Sequence, residues 1–247
     1  MAEKDQLTSK DQIYGRHAVI NALKQIPANK INQLLVQKDL KGDYFTDLIR
    51  IANEKKILIK FVPKIKLDKL TDQHSHQGVV LDSAPFGYAK LADLKEANFL
   101  LILDNIMDPH NFGSLIRTAD AAGVEGIIIP QRRSVQVNNF VWKASTGALS
   151  FMPIVRVVNL SSAIKKLKSL GFWFFGADMN GTNWLDWQVN GKICLIVGNE
   201  GKGISSGIRK QVDEFIEIPM VGHVSSLNAS VAGGALLMLA SSKRQLK

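Results

Sequence analysis

One cysteine, Cys194, stands in 247 residues, inside the apolar stretch ICLIVG. A lone thiol excludes an internal disulfide framework and a cysteine metal cluster, so it reads as a small buried hydrophobe in a reducing compartment. No run approaches the roughly 18 apolar residues that a membrane helix requires. The first residues, MAEKDQLTSKDQ, are polar and lack the apolar core of a secretory signal. These absences predict a cytoplasmic protein without a membrane partner. Acidic residues are the scarce charge, 22 Asp and Glu against 31 Lys and Arg, for a net charge of +9. The excess is spread, +4 over residues 1–82 (14 basic, 10 acidic) and +5 over the rest (17 and 12), so there is no basic tail. Such a balance suits a polyanion such as nucleic acid, and equally an ordinary solvated basic surface. There is no internal repeat and no low-complexity tract.

What is present is a chain 46% hydrophobic, enough to bury a substantial core in one large domain or two smaller ones. GRHAVINALKQ places Ala18, Val19, Ala22 and Leu23 at helical spacing. After it, INQLLVQK reads as a strand, YFTDLIRIANEKK as a helix and ILIKFVP as a strand, a small mixed α/β unit. From KLTDQHSHQGVV onward Gly78, Pro85 and Gly87 interrupt any periodicity. The expected division is a domain over 1–82, a linker over 83–95 and a second domain over 96–247. In the second, FLLILDN, GIIIP, FWFFGAD, ICLIVGNE and EFIEIPM alternate with the helical segments FGSLIRTADAAG, AIKKLKSLG and ISSGIRKQV. Strands apolar almost throughout, separated by helices, predict a parallel sheet with helices on both faces. Ligands of such sheets lie beyond the carboxyl ends of the strands.

Three loops there are unusually polar. LDNIMDPHNFGSLIRTADAAG crowds Asp104, Asn105, Asp108, His110 and Asn111 at a strand end, with Arg117 in the second turn of a helix beginning near Phe112. The spacing alone also allows Asn111 as an N-cap and Arg117 as a surface ion-pair partner. Asp108 and His110 lack the spacing of metal ligands, and no metal is expected. IVGNEGKGISSG delivers Gly198, Asn199 and Glu200 on a glycine-rich turn. It lacks the Lys and Ser/Thr of a Walker loop, and Ser206 stands where a dinucleotide fingerprint needs its third glycine. A plain turn remains open. HVSSLNAS precedes the last helical run. Ser225 or Ser226 as a helix cap accounts for one hydroxyl, but not for Asn228 and Ser230 at positions where helix propensity is poor. No G-x-S-x-G elbow and no paired carboxylates support hydrolytic chemistry.

Taken in order, NFGSLIRTADAAG, IVGNEGKG and IPMVGHVSSLNASVA resemble the three motifs of the SpoU/TrmH group of SPOUT-class RNA 2'-O-methyltransferases, over about residues 98–245. IYGRHAVINAL and HQGVV are similar to the RNA-binding extension found in the bacterial 23S rRNA (guanosine-2'-O-) branch of that group. The resemblance implies a C-terminal deep trefoil knot, a small N-terminal α/β RNA-binding domain, a homodimer, and large-subunit ribosomal RNA as substrate. It implies S-adenosyl-L-methionine held by Gly198, Ile218, Met220 and Leu227, with Ala177 near the same pocket. The motif positions that carry the family's polar groups are Asn111, Arg117, Glu200, Ser226 and Asn228. A guanidinium with a pKa above about 12 is a poor base, so Arg117 is read as a charge that stabilises an oxyanion or fixes a phosphate. Arg16, His17 and the QRRS loop at 131–134 are candidate RNA contacts. A non-catalytic ribosome-assembly factor and a dinucleotide oxidoreductase are the competing classes.

Overall fold

The structure, a computed structural model, describes residues 12–245. The polar N-terminal stretch lies outside the described residues, Gln12 excepted. The chain forms two compact units, one made of the described part of Met1–Gly87 together with Val137–Phe151, the other of Tyr88–Gln136 and the described part of Met152–Lys247. The return of Val137–Phe151 to the first unit was not legible as a division along the chain.

The first unit contains β1 (Gln12–Tyr14), α1 (Arg16–Gln25), β2 (Ile31–Gln37), α2 (Asp43–Glu54), β3 (Ile59–Val62), α3 (Lys64–Leu70) and β4 (Val79–Ser83). Its sheet has the order β1-β4-β2-β3, with β4 antiparallel to both neighbours and β2 parallel to β3. Leu34, Leu35 and Val36 are all buried, as on a strand with a layer packed on each face. Tyr14, Leu35, Val62, Val80 and Leu67 of α3 form one of these layers. α1 buries Ala18, Val19, Ala22 and Leu23, as its spacing predicts. β4, a central strand, falls in the stretch read as aperiodic. Its sequence VVLDS ends in two polar residues, and all five are buried. Asp82 is tolerated there because its carboxylate accepts hydrogen bonds from Asn32 Nδ2 and Gln33 Nε2, both at 3.0 Å. The returning segment is fastened by Tyr14 N donating to Asn139 Oδ1 at 2.7 Å and Asn21 Nδ2 to the Thr146 carbonyl at 3.2 Å.

The second part of the chain runs β5 (Phe99–Asp104), α4 (Pro109–Ala121), β6 (Gly126–Pro130), α5 (Asn139–Ala144, in the first unit), β7 (Ile154–Val157), α6 (Leu160–Lys168), β8 (Trp173–Asn183), β9 (Ile193–Gly198), α7 (Ser206–Arg209), β10 (Glu214–Glu217) and α8 (Ala229–Gln245). The sheet is parallel throughout, in the order β10-β8-β9-β5-β6-β7. Alternate residues of β5 feed opposite faces. Leu100 and Ile102 join Ile128, Cys194 and Ile196 under α6 and α7. On the other face α4 buries Phe112, Leu115, Ile116 and Ala119, and α8 lies against it. That approach needs a glycine: a Cβ on Gly233 of α8 would stand 2.7 Å from Leu115 Cδ2 and 3.1 Å from Val197 Cγ2. The α/β class, the parallel sheet and its two helical layers agree with the sequence reading. α7 is one turn where a longer helix was expected, and β7 and α5 were not read at all. Among the described residues, no helix is long and apolar enough to cross a membrane.

The strand order fixes where a ligand can sit. From β5 the chain steps outward through β6 to β7, then crosses to the opposite side of β5 to lay down β8, β9 and β10. β5 and β9 are therefore neighbours whose following loops leave in different directions, the switch point of an open α/β sheet. Asp104 and Gly198, the last residues of these two strands, are register partners.

Candidate active site

At this switch point the loop after β9 folds back on itself. Asn199 N donates to the Gly203 carbonyl at 3.1 Å and Gly203 N to the Asn199 carbonyl at 2.7 Å. Asn199 Oδ1 accepts from the amides of Gly201 (3.0 Å) and Lys202 (3.3 Å), and its Nδ2 reaches the Asn105 carbonyl at 3.1 Å. Buried Asp104 accepts from Ser205 N and Asn105 Nδ2, each at 2.7 Å. Gly198 is required by the closeness of this turn, since a Cβ there would lie 2.2 Å from the carbonyl carbon of Gly203.

The loop forms one wall of a cavity of about 410 Å³. Gly198, Ile218, Met220 and Leu227, the four expected cofactor residues, all line it, as does Ala177. Glu200 and Ser226 line it too. Asn111 and Asn228 reach it through Glu200. Asn111 Nδ2 and Asn228 Nδ2 both donate to Glu200 Oε1, the second at 2.5 Å, and Asn228 Nδ2 also lies 3.1 Å from Asn111 Oδ1. One carboxylate thus ties together the start of α4, the loop after β9 and the start of α8, the three segments singled out in the sequence. Hydrogen bonds to an ionised acceptor are among the strong ones, so this triangle fixes the three segments against each other.

Two cap assignments change. α4 starts at Pro109, three residues before the expected Phe112, and its N-cap is Asp108, which accepts from His110 N (3.3 Å) and Asn111 N (3.0 Å). Asn111 is freed from capping and turns inward. At α8 the serines do not cap. Asn228 Oδ1 takes Ser230 N at 2.9 Å, Ser230 Oγ at 2.7 Å and Val231 N at 3.3 Å, so Asn228 is both the cap and a member of the triangle. Arg117 is the one expected residue that the structure does not bring to the others. With α4 beginning at Pro109 it falls in the third turn, exposed, and does not line the cavity.

Asp178 was missed. It follows Ala177 at the bend of β8, lines the cavity and is hydrogen-bonded to Arg209 Nη1. Burial pushes its carboxyl pKa up, and the Arg209 guanidinium with the Asn180 amide outweighs this, leaving it below the ordinary value. The rule that ligands lie at strand ends, applied to FWFFGAD, contained the signal for it. Among the described residues, no three His, Cys, Asp or Glu side chains are grouped to hold a metal ion.

Residues 98–238 match the model of the SpoU rRNA Methylase family, and residues 12–89 match that of the RNA 2'-O ribose methyltransferase substrate-binding domain. A protein of Staphylococcus saprophyticus named as a TrmH family tRNA/rRNA methyltransferase is 43% identical over 233 residues, covering 91% of this chain and 92% of its own. One of the same name from Staphylococcus aureus strain COL is 44% identical over 233 residues, covering 91% and 93%. Among solved structures, the SpoU methyltransferase AviRb from Streptomyces viridochromogenes in complex with AdoMet aligns with a TM-score of 0.80 at 24% identity, over 96% of this chain and 91% of that one. An rRNA methyltransferase from Sinorhizobium meliloti aligns with a TM-score of 0.79 at 25% identity, over 97% and 89%. With both units matched and relatives above 40% identity along most of its length, the chain belongs to the SpoU/TrmH family of RNA methyltransferases.

Proposed function

We propose that the protein methylates the ribose 2'-OH of a guanosine in 23S ribosomal RNA, with S-adenosyl-L-methionine as donor, in the cytoplasm and as a homodimer. The observation that carries the reading is the cavity at the switch point, walled by Glu200 and joined through it to Asn111 and Asn228. Its volume of about 410 Å³ is in the range of about 300–1,000 Å³ usual for cofactor pockets. Its residues suit the donor. Leu227, Ile218 and Met220 offer an apolar surface, the tight turn at Gly198 bares backbone, and the Glu200 and Asp178 carboxylates complement a cation. When bound, S-adenosyl-L-methionine supplies an electrophilic sulfonium methyl. The task of the protein is then alignment and charge. Glu200, held by two amides, fixes the loop beside Ser226, which offers a hydroxyl toward the ribose. The knot implied by the family motifs belongs to this reading, and the lining of one cavity by residues 198–203 and 218–227 supports it. An RNA-binding domain over residues 1–82 belongs to the same reading, supported by the substrate-binding match over 12–89.

Arg117 retains its assigned role of stabilising the alkoxide or a neighbouring phosphate. Its position outside its own chain's cavity favours a homodimer in which a second copy completes the reacting centre. Arg117→Ala should bind S-adenosyl-L-methionine in calorimetry as the wild type does and transfer no tritiated methyl to rRNA. Methylation at the wild-type rate would remove Arg117 from the mechanism. Mapping 2'-O-methyl groups in rRNA from a deletion strain tests the substrate. Because the relatives are named for both tRNA and rRNA, a tRNA target is the second reading, and a methyl group missing from tRNA in that strain would establish it. Calorimetry that detects NAD and not S-adenosyl-L-methionine would overturn both.

A further inference from the structure

Behind the 199–203 loop lies a second and larger space, a groove of about 870 Å³. Asn199, Lys202 and Gly203 line both, so a single loop separates the groove from the cavity described above. The two differ in charge. The cavity carries the carboxylates of Glu200 and Asp178, whereas no carboxylate lines the groove, which has Arg133, Lys202 and Arg209. These cations are not equivalent. Arg209 is hydrogen-bonded to Asp178, and its charge is compensated. Arg133 and Lys202 are exposed, and among the described residues neither side chain has a hydrogen bond or an ion pair. Two uncompensated cations lining one groove, beside a neutral polar lining of Asn105, Ser205 and Ser206, suit an anion.

The groove is built rather than incidental. Arg133 is held at φ 57 and Asn105 at φ 60, left-handed conformations uncommon outside glycine. The loop bearing Arg133 is pinned to the loop after β5 by Val135 N donating to the Ile106 carbonyl at 3.0 Å. Met107, 58% exposed, adds an apolar surface to the lining, as a strand with both phosphates and bases requires.

We propose that this groove binds the sugar-phosphate backbone of single-stranded RNA, with Arg133 and Lys202 as its phosphate contacts, independently of base sequence. The inference rests on the RNA methyltransferase reading and deepens it, since a strand in the groove runs beside the loop that walls the donor cavity.

The probe is decauridylate, titrated by fluorescence anisotropy at several salt concentrations against the full-length protein. Each phosphate contact contributes about 0.7 to the slope of log affinity against log salt for a single strand. Arg133→Gln should lower the slope by about 0.7, and Arg133→Gln with Lys202→Gln by about 1.4, with weaker binding at every salt concentration. The control pair Lys165→Gln with Lys166→Gln removes the same charge from exposed positions of α6 and should leave the slope unchanged. Slopes unchanged in the groove variants, or an equal fall in the control, would overturn the proposal. So would uridine monophosphate binding as tightly as the decamer, or an equally charged polyglutamate peptide competing as well as RNA. Calorimetry of the wild type with S-adenosyl-L-methionine, run alongside, reports separately on the methyltransferase reading.

Discussion

Replacing Gly198 with alanine drives one methyl group into the peptide unit that joins Gly203 to Ile204. The new Cβ would stand 2.2 Å from Gly203 C, 2.3 Å from Ile204 N and 2.4 Å from Gly203 O. No rotamer relieves such a clash, because every atom met is main chain. Recovering an ordinary contact of 3.4 Å requires the turn to retreat by about 1.2 Å. The paired bonds between Asn199 and Gly203, at 3.1 and 2.7 Å, cannot survive a displacement of that size along their axis. Each has a net worth of about 0.5–1.5 kcal/mol, so their loss costs roughly 1–3 kcal/mol. The Asp104 to Ser205 bond at 2.7 Å is charge-assisted and next in line; losing it adds about 1.5–3 kcal/mol. Since the displaced turn is a wall of the cavity proposed for the donor, its disorder must be reversed before a ligand is held. A penalty of only 1.4 kcal/mol is tenfold in affinity. Gly198→Ala should therefore bind S-adenosyl-L-methionine at least tenfold more weakly in calorimetry and unfold at lower urea. Wild-type affinity together with an unchanged urea midpoint would refute the close-approach reasoning outright.

Asn228→Ala removes both the α8 cap and a leg of the Glu200 triangle, whereas Asn228→Ser keeps an oxygen for the cap. Thermal unfolding should show alanine less stable than serine by about 1 kcal/mol, while both lose methyl transfer if the carboxamide bond to Glu200 matters. In the first unit Asp68 is held below its ordinary pKa of 3.8 by His76 and then Lys64. A depressed carboxyl stabilises the fold above its unfolded pKa and loses that contribution as pH falls through the lower folded value. Urea midpoints of Asp68→Asn and wild type should thus differ near neutrality and converge below about pH 4. Cys194 is fully buried, and burial pushes its thiol pKa well up. Iodoacetamide should leave it intact in native protein and label it at the rate of unfolding, so rapid native labelling would contradict its place under α6.

The legible parts of the fold were those written in unbroken apolar runs. FLLILD, GIIIP and ICLIVG are buried on both sides, and a parallel sheet leaves no other pattern. VVLDS escaped because Asp82, near the end of a central strand, is a buried carboxylate whose partners, Asn32 and Gln33, are about fifty residues away. The site divided in the same way. Motif residues around Gly198, Glu200 and Asn228 stood in short windows that a reader of sequence can weigh. The choice between cap and ligand did not. Asp108 and Asn111 are three residues apart, both able to cap, and only the helix start decides which one turns inward. Arg117 shows the converse: its spacing from Asn111 was plain, but six residues of helix carry a side chain about 240° around the axis, to the outer face.

The segment Val137–Phe151 has a consequence for synthesis. Asn139, Thr146 and the buried Val141, Trp142 and Leu149 belong to the first unit, yet they are translated after β5 and β6 of the second. The N-terminal core cannot close while the ribosome is still short of Phe151, so the usual order in which an upstream domain finishes before the next begins is unavailable here. A fragment cut after Gly87 would lack Trp142 and Leu149, buried residues of its own unit. The two units are interleaved along the chain and must mature together.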